Sequence, residues 1–275
     1  MNALLEHVKS FILDRPFKRG MMIIDRFEII RVLGMGSYGI TYLTTDHKFN
    51  TQCVLKQMKP SRKKVEKVQQ SFEYEKQILT CLTHPRIPKF KESFNYNGDY
   101  CFTMDFIEGH TFENEIFKNG KIFREIDAFR VLYDVLQIVL YIHSQKIIHR
   151  DLRIPNIMIK DGFVYIVDFG LARFIEDQEI VMKSVIDGYD TEKKLKREIH
   201  YRSDFYALGH FVLFLLYSSF TPSSKKEKSW EEELSISNNA HHILRRLLQL
   251  ELPYNDVNEV LFDVAHLINE SNSAL

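Results

Sequence analysis

Short runs of apolar and β-branched residues fill the first part of the chain, and turn residues such as Asn97-Gly98 separate them. Such runs predict β-strands, because branched and aromatic side chains fit a pleated, half-buried surface. The predicted strands cover residues 27–33, 40–45, 53–56, 87–94 and 100–106. One helical pattern interrupts them at Phe72 to Leu82, where apolar residues recur on one side. This part is therefore expected to form a small antiparallel sheet with one helix.

Helical spacing dominates beyond residue 108. A long apolar stripe predicts one helix, and its members are Ala128, Leu132, Val135, Leu136, Val139 and Ile142. Residues 204–217 are apolar on all sides, which is typical of a fully buried helix. Two short strands at 157–159 and 164–167 flank Asp161-Gly162, a hairpin turn pair. This part is therefore expected to be mainly helical.

These patterns predict an α+β fold with two lobes and a lead-in segment. The lead-in covers residues 1–25, the β-rich lobe residues 26–107 and the α-helical lobe residues 108–275. An amphipathic helix is predicted in the lead-in from residues at helical spacing, namely Leu4, Leu5, Val8, Phe11 and Ile12. We expect it to end near Asp14 and Pro16 and to pack on its own protein. A partner-binding or membrane-surface helix is the alternative, disfavoured because the polar face is not rich in Lys or Arg.

Composition excludes several classes of partner. Lys and Arg together number 37 in the 275 residues, as do Asp and Glu, so no net charge attracts the chain to nucleic acid or to a membrane surface. The three cysteines are far apart in the sequence, which fits reduced thiols better than disulfides or a zinc site. The longest apolar runs fall well short of the roughly 18 residues of a membrane span, and no secretory signal is recognised. We therefore expect a cytoplasmic protein.

A glycine-rich stretch, GMGSYG at residues 34–39, joins the first two predicted strands. The same spacing of glycines occurs in dinucleotide-binding folds, where the last glycine opens a helix. Here residues 40–45 are β-branched and aromatic, which favours a second strand. The stretch is therefore predicted to be a hairpin whose backbone can lie over phosphate groups, and a dinucleotide-binding crossover is disfavoured.

Two charged residues are expected to pair in the β-rich lobe. Glu75 lies within the apolar stripe of the predicted helix, where an unpaired carboxylate would be costly to bury. Lys56, at the end of the third strand, is the candidate partner, although a solvated lysine would be the simpler interpretation of that residue alone. The basic residues 59–67 are expected to form a solvated loop and helix start, with a docking patch as the alternative.

The stretch IIHRDLRIPNIMI, residues 147–159, carries the strongest chemical pattern. Asp151 precedes Asn156 by five positions, with the cation Arg153 between them and apolar residues on both sides. Phosphoryl transfer needs a carboxylate to orient and deprotonate a hydroxyl, a cation for the phosphate and oxygen ligands for Mg²⁺. Asp168, released from the strand that follows, would supply a second metal ligand beside Asn156. The alternative is a polar loop between a helix and a strand.

With these residues assembled, the chain resembles the eukaryotic-like protein kinases across Arg26 to Leu267, and in particular the small soluble serine/threonine kinases of Bacillus-type bacteria. The glycine-rich stretch matches the family's phosphate loop. Lys56 and Glu75 stand where the family has its phosphate-binding lysine and helical glutamate. HRD at residues 149–151, the loop asparagine Asn156 and DFG at residues 168–170 follow in the family's order and spacing.

The resemblance implies that Mg-ATP, or Mn-ATP, binds at a hinge between two lobes. The implied catalytic residues are Asp151, Arg153, Lys56 and Glu75, and the implied metal ligands are Asn156 and Asp168. The implied ATP-binding residues are Leu33, Gly34, Met35, Gly36, Ser37, Tyr38, Gly39, Ile40, Thr41, Val54, Lys56, Met104, Asp105 and Ile107. His149 is expected to have a packing role, and Asp204 to cap its helix and brace the catalytic loop.

Several positions depart from the family pattern. Val54 and Thr41 replace the usual Ala and Val, which implies a tighter and more polar adenine pocket. Arg153 replaces the usual Lys, as in some tyrosine kinases. No Ala-Pro-Glu follows the DFG, where only Glu192 falls near its place, and Asn255 replaces the arginine that normally pairs with that glutamate. A basic cluster there, formed by Lys193, Lys194, Lys196 and Arg197, is expected to be a solvated face, with a substrate dock as the alternative.

Three functions remain open from the sequence. An active serine/threonine protein kinase is favoured, because every charged catalytic part is present. A small-molecule kinase of the aminoglycoside type is disfavoured, because such enzymes usually lack an arginine at the place of Arg150. A non-catalytic scaffold is disfavoured as well, because it would not need the retained charged residues. The expected partners are ATP, a protein carrying Ser or Thr, and a second copy of the chain for autophosphorylation. Candidate acceptors after the DFG are Ser184, Tyr189 and Thr191.

Overall fold

The chain forms two compact units, Met1–Ile107 and Glu108–Leu275. The computed structural model describes residues 13–36, 39–177, 195, 198–221 and 228–273. The predicted amphipathic helix of the lead-in lies outside the described residues. The first unit is rich in antiparallel strands and the second is mainly helical, so the predicted α+β fold is confirmed.

A six-stranded sheet, in the order β1-β2-β3-β4-β6-β5, forms the first unit. Its strands are β1 Met22–Ile23, β2 Phe27–Met35, β3 Gly39–Asp46, β4 Thr51–Met58, β5 Phe90–Tyr96 and β6 Asp99–Asp105. Neighbouring strands pair antiparallel. The predicted hairpin turn joins β5 to β6, and both Asn97 and Gly98 have positive φ, at 50° and 82°. Asn-Gly suits such a turn because both residue types tolerate the left-handed region.

The two faces of this sheet have different partners. One face packs against residues 14–23 of the lead-in, the strap, and is named the strap face. There Tyr42, Leu55 and Cys101 form part of a buried apolar cluster, and Phe17 and Met21 of the strap pack against it. On the helix face, the helix α1, Glu66–Cys81, packs with Phe72 5.0 Å from the Phe102 ring. The helix begins at Glu66, within residues 59–67 that were expected to form a loop and helix start, and the buried Val68 extends the apolar stripe ahead of Phe72.

The second unit consists mainly of helices. They are α2 Phe112–Phe117, α3 Glu125–Ser144, α4 Tyr201–Tyr217, α5 Trp230–Glu233, α6 Asn238–Leu247 and α7 Val257–Ser273. Its strands are β7 His110–Thr111, β8 Ile147–Ile148, β9 Ile157–Lys160, β10 Phe163–Ile166 and β11 Arg173–Phe174. The predicted hairpin joins β9 to β10 through Asp161 and Gly162, which have φ of 51° and 80°. β7 extends this hairpin to three strands, and β8 pairs with β11.

Helix α4 is buried over most of its surface, as its apolar composition predicts. It begins at Tyr201, and its N-cap is His200, whose Nδ1 accepts a hydrogen bond from the backbone N–H of Arg202 at 3.1 Å. The prediction that Asp204 caps this helix was therefore wrong, because Asp204 lies inside the first turn and its carboxylate is engaged elsewhere. Neither α4 nor any other helix in the described ranges is long and apolar enough to span a membrane.

Close packing of α4 on α6 predicts a stability effect at Gly209. A Cβ there would lie 2.9 Å from Leu248 Cδ2 and 3.2 Å from Leu247 Cβ. Alanine favours a helix over glycine by about 1 kcal/mol, but overpacking a core costs about 1–3 kcal/mol. We expect the packing cost to exceed the helix preference, so that Gly209→Ala lowers the free energy of unfolding by up to about 2 kcal/mol, measured by urea denaturation.

The control is the same substitution in a Leu248→Ala background, which removes Cδ2 and Cγ of Leu248, the two atoms closest to the new methyl group. There Gly209→Ala should cost less stability than in the wild type, or none. An equal loss of stability in both backgrounds would show that packing against Leu248 is not the cause.

Candidate active site

The glycine-rich stretch is a hairpin between β2 and β3, as predicted. The strands pair antiparallel with Gly34 opposite Thr41, and the Gly36 N–H donates to Gly39 O at 2.9 Å. A Cβ at Gly39 would lie 2.9 Å from the carbonyl oxygen of Gln57 on β4, so only glycine allows this close approach. Ser37 and Tyr38, at the tip, lie outside the described residues.

Strand register places four of the predicted nucleotide-binding side chains on the helix face. Thr41 lies opposite Lys56, and Val54 lies opposite Met104. Directly opposed residues in antiparallel strands point to the same side of a sheet. Ile40 differs from these four residues, because its side chain is fully buried in the cluster on the strap face. Asp105 also points to that face, since it lies opposite Cys53 of the same cluster. Contact of Ile40 with a nucleotide would thus be limited to its backbone.

The predicted hinge follows β6. The carboxylate of Asp105 accepts a hydrogen bond from the backbone N–H of Lys89 at 3.2 Å and pairs with Lys91 at 3.3 Å, which ties β6 to β5. Residues 106–109, including Ile107, are irregular. Recognition of adenine at this point would therefore fall to backbone groups and not to the Asp105 side chain.

The predicted ion pair between Lys56 and Glu75 is present. Nζ of Lys56 donates to both carboxylate oxygens of Glu75, at 2.5 and 2.7 Å. The two side chains are only 12% and 4% exposed. Leaving one buried charge without its partner costs about 3–5 kcal/mol. The pair therefore couples the position of α1 to that of β4.

In the second unit, three donors orient the carboxylate of Asp151. The guanidinium of Arg153 binds it as a fork, with Nε on Oδ1 and Nη2 2.9 Å from Oδ2. Asn156 Nδ2 donates to the same Oδ2 at 2.8 Å and to the Asp151 carbonyl at 2.9 Å. The hydrogen bond to Asp151 raises the pKa of Arg153 above its usual value. This carboxylate is therefore held in one orientation.

The two predicted metal ligands lie on segments that are bonded to each other. The backbone N–H of Val167 donates to Asn156 O at 2.9 Å, which places the residue before Asp168 beside Asn156. Because Asn156 Nδ2 faces Asp151, its amide oxygen points elsewhere and can serve as a ligand. Asp168 adopts the left-handed region, with φ of 63°.

The oxygen ligands of Asn156 and Asp168 fit a hard divalent cation that takes its other ligands from phosphate. Within the described residues, no group of three or more His, Cys, Asp and Glu side chains could hold a metal ion. Mg²⁺ is usually bound by one or two carboxylates together with substrate phosphates and waters. One carboxylate at Asp168 and one amide oxygen at Asn156 match that description.

His149 and Phe169 form the apolar support of these loops. Both side chains are fully buried, and their ring centroids lie 4.7 Å apart in an edge-to-face arrangement. Burial lowers the pKa of His149 below its usual value. Its Nδ1 accepts from the backbone N–H of Asp151 at 3.3 Å. These contacts agree with the packing role predicted for His149.

Asp204 braces the catalytic loop, as predicted. Its carboxylate accepts from the backbone N–H groups of His149 at 2.9 Å and Arg150 at 2.7 Å, and from Nε2 of His143 at 2.9 Å. Arg150 has a φ of 62°, a conformation that costs about 1–3 kcal/mol outside glycine. Burial opposes ionisation of Asp204, but the hydrogen bonds outweigh it and lower its pKa. The role of His143 in holding Asp204 was not predicted from the sequence. A histidine beside the apolar stripe that precedes the HRD motif could have indicated it.

The segment after DFG is described only in part. Arg150 Nη1 donates to Leu171 O at 3.2 Å. The acceptor candidates, Glu192 and the basic cluster lie outside the described residues: Ser184, Tyr189, Thr191, Lys193, Lys194, Lys196 and Arg197. Asn255, at the place of the family's late arginine, accepts from Arg202 Nη2 at 3.5 Å and donates to Glu259 at 3.0 Å.

The first unit thus has a glycine hairpin and a buried lysine–glutamate pair, and the second has an oriented aspartate on a loop beside two oxygen ligands. Residues 27–270 match the protein kinase domain family. The chain therefore belongs to the protein kinase family. ATP and a divalent metal are the small partners of that family, and a protein is its substrate.

Individual relatives agree with this assignment. The chain is 35% identical over 264 residues to the probable serine/threonine-protein kinase YbdM of Bacillus subtilis (strain 168), covering 96% of this chain and 98% of the relative. It is 27% identical over 252 residues to serine/threonine-protein kinase B of Synechocystis, covering 82% of this chain but only 44% of that protein. The PknI kinase domain of Mycobacterium tuberculosis has the same fold, with a TM-score of 0.67 at 18% identity, covering 91% of this chain and 99% of the other.

The bracing of the loop predicts the effect of Asp204→Asn. The variant keeps the shape but turns one acceptor into a donor that faces other donors. We expect a loss of about 3 kcal/mol in the free energy of unfolding at neutral pH, measured by urea denaturation. Because the folded pKa of Asp204 is below its ordinary value of 3.8, its contribution is present above that pH and is lost as the pH falls through the folded pKa.

The difference between wild type and Asp204→Asn should thus shrink on acidification below about pH 4. Asp256→Asn is the matched control, since Asp256 is exposed, accepts from the backbone N–H of Asn258 at 2.7 Å, and asparagine caps a helix equally well. An Asp204→Asn deficit that persists unchanged at low pH would contradict the role of its ionised form.

Proposed function

We infer that this protein is an ATP-dependent serine/threonine kinase in which Asp151 orients the hydroxyl group of a protein substrate and accepts its proton. One observation carries the proposal: the Asp151 carboxylate is held by Arg153 and Asn156 on a loop whose backbone is bonded to Asp204. Such prior orientation is what general base catalysis and substrate positioning require. The names of the Bacillus and cyanobacterial relatives support serine and threonine as acceptors.

In the proposed reaction, the oxygen of the substrate hydroxyl forms a bond to the γ-phosphorus of ATP. The bond from that phosphorus to the bridging oxygen of ADP breaks, ADP leaves, and the hydroxyl proton passes to Asp151. Arg153 is 64% exposed, so its guanidinium can turn from Asp151 to the transferred phosphate at small cost. Arginine in place of lysine therefore does not by itself decide the acceptor amino acid.

The remaining site residues are assigned to holding ATP. We propose that Lys56, kept in place by Glu75, binds phosphate oxygens, and that backbone groups of the glycine hairpin lie along them. Asn156 and Asp168 would hold the divalent ion, which neutralises charge on the phosphates. We propose Mg²⁺ as the physiological ion, and the same oxygen ligands would accept Mn²⁺.

Boundaries, partners and location are also proposals. We propose a lead-in (residues 1–25) and two kinase lobes (26–107 and 108–275), and the border of the compact units at Ile107 supports the division between the lobes. We propose autophosphorylation between two copies of the chain, because the segment after the DFG motif carries three candidate acceptors, Ser184, Tyr189 and Thr191. A cytoplasmic location is supported by the free thiols of all three cysteines, two of them buried.

The assignment of Asp151 predicts the behaviour of Asp151→Asn. The variant should lose roughly 10²- to 10⁴-fold in phosphate transfer, because a positioned proton acceptor contributes about that factor. Its affinity for Mg-ATP should be unchanged. Transfer is measured with labelled ATP, and phosphoamino-acid analysis of the wild-type product should give phosphoserine or phosphothreonine.

Asp161→Asn is the matched control, because Asp161 lies in an exposed hairpin turn where asparagine fits equally well. Undiminished transfer by Asp151→Asn would exclude the proposed role. Phosphotyrosine as the main product would overturn the acceptor assignment.

The assignment of Asp168 predicts a loss of metal-dependent binding. Asp168→Ala should lower the affinity for ATP in the presence of Mg²⁺ or Mn²⁺ by at least about tenfold, since even indirect disturbance of a metal site costs about 10- to 100-fold. Its affinity without metal should match the wild type. Isothermal titration calorimetry with and without each metal measures both quantities, and equal metal-dependent affinities in the two proteins would exclude the metal role.

A further inference from the structure

Part of the lead-in forms a strap across the sheet of the first unit. The strap comprises residues 14–23, ahead of the protein kinase family match that begins at residue 27. Phe17 stacks on Tyr42 with ring centroids 5.3 Å apart and meets Tyr96 edge-on at 5.8 Å. The strap therefore belongs to this chain's own core without being part of the shared domain.

Asp14 ties the strap to a turn far along the chain. Its side chain is 94% buried, and its carboxylate accepts from Ser61 twice, from the backbone N–H at 2.8 Å and from Oγ at 2.7 Å. Ser61 is the middle residue of the 3-10 turn Pro60–Arg62. Hydrogen bonds to a buried carboxylate are stronger than those between neutral groups.

A second route leads from the strap to the same turn. The backbone N–H of Phe17 donates to the hydroxyl of Tyr42 at 3.1 Å, and that hydroxyl donates to Gln57 Oε1 at 2.6 Å. Nε2 of Gln57 then donates to Asp99 at 2.6 Å, and Asp99 pairs with Lys63. Both routes thus end at residues 61–63, one directly and one through a chain of buried polar groups.

The turn continues into α1, the helix that carries Glu75. The backbone N–H of Val65 donates to Arg62 O at 2.9 Å, and Gln69 Nε2 donates to Lys63 O at 2.5 Å. Val65, at the N-cap, provides no side-chain hydrogen bond to the helix. A helix without a capping side chain depends on the preceding backbone to define where it begins.

We propose that Asp14 is a positioning residue, which holds the turn Pro60–Arg62 and thereby keeps α1 where Glu75 pairs with Lys56. The geometry makes the strap a built-in brace for the catalytic ion pair. The inference rests on the proposed function, since it assumes that this pair places Lys56 for the phosphates of ATP.

The first experiment measures hydrogen exchange in the nucleotide-free protein. Asp14→Ala should speed amide exchange in residues 66–81 by at least about fivefold, while β2 and β3 keep their protection. Asp14→Asn should restore the wild-type pattern, because its amide can accept from the Ser61 N–H and donate to Ser61 Oγ. Ser61→Ala, which removes only one of the two bonds, should show a smaller change in the same direction.

Asp46→Ala is the matched control. Asp46 is another buried carboxylate of this unit, but it binds Arg26 and the backbone of Lys48, away from the turn. Asp46→Ala should speed amide exchange in β2 and β3, whereas exchange in residues 66–81 should change little by comparison. If Asp14→Ala instead speeds exchange evenly across the unit, the strap has only a general stabilising role and the proposal is overturned.

The second experiment is a double-mutant cycle read out as the dissociation constant of Mg-ATP. Asp14→Ala should weaken binding at least about fivefold in the wild-type background and have no effect in a Glu75→Gln background, because both changes act through one ion pair. Additive effects would overturn the proposal. If Glu75→Gln alone leaves the affinity unchanged while Asp14→Ala still loosens residues 66–81, the proposed role of the ion pair fails and the hold of the strap on α1 stands.

Discussion

The buried pair of Lys56 and Glu75 is the constraint on which the first unit depends. Two charges that are almost fully removed from water are tolerable only while they remain in contact. One charge belongs to a strand and the other to a helix, so the sheet and α1 must stay in register with each other. The turn Pro60–Arg62 lies directly before α1 and is bonded to its start, so it is in contact with the helix that carries Glu75.

The same principle governs the second unit, where Asp204 has the central position. A carboxylate with no solvent contact stays ionised because backbone and imidazole N–H groups surround it. In return, those bonds hold the loop in the left-handed conformation at Arg150, and the loop presents Asp151. In each unit of this protein kinase a buried carboxylate thus holds a neighbouring segment in place, β4 through Lys56 in the first and the loop that carries Asp151 in the second.

Sequence patterns predicted much of the fold and site correctly, and the errors have specific causes. The Asn97-Gly98 turn and the glycine hairpin were predictable because turn chemistry is local. Pairing of Glu75 with a cation followed from its place in an apolar stripe. The helix start was expected within residues 59–67 and lies there, at Glu66, although Lys and Gln residues dilute the apolar pattern ahead of Phe72. Asp204 was assigned as a cap because its carboxylate could equally have bonded its own helix.

The sequence alone was sufficient for the two-lobe α+β fold, the kinase motifs and the residue types at the site. Each of these depends on spacing along the chain, which local backbone geometry converts directly into structure. Only the tertiary structure decided that Ile40 faces away from Lys56, that His143 supports Asp204, and that Asp14 reaches Ser61. Each of these features relates residues that are distant in sequence. The local pattern around one residue does not specify which distant residue it will face.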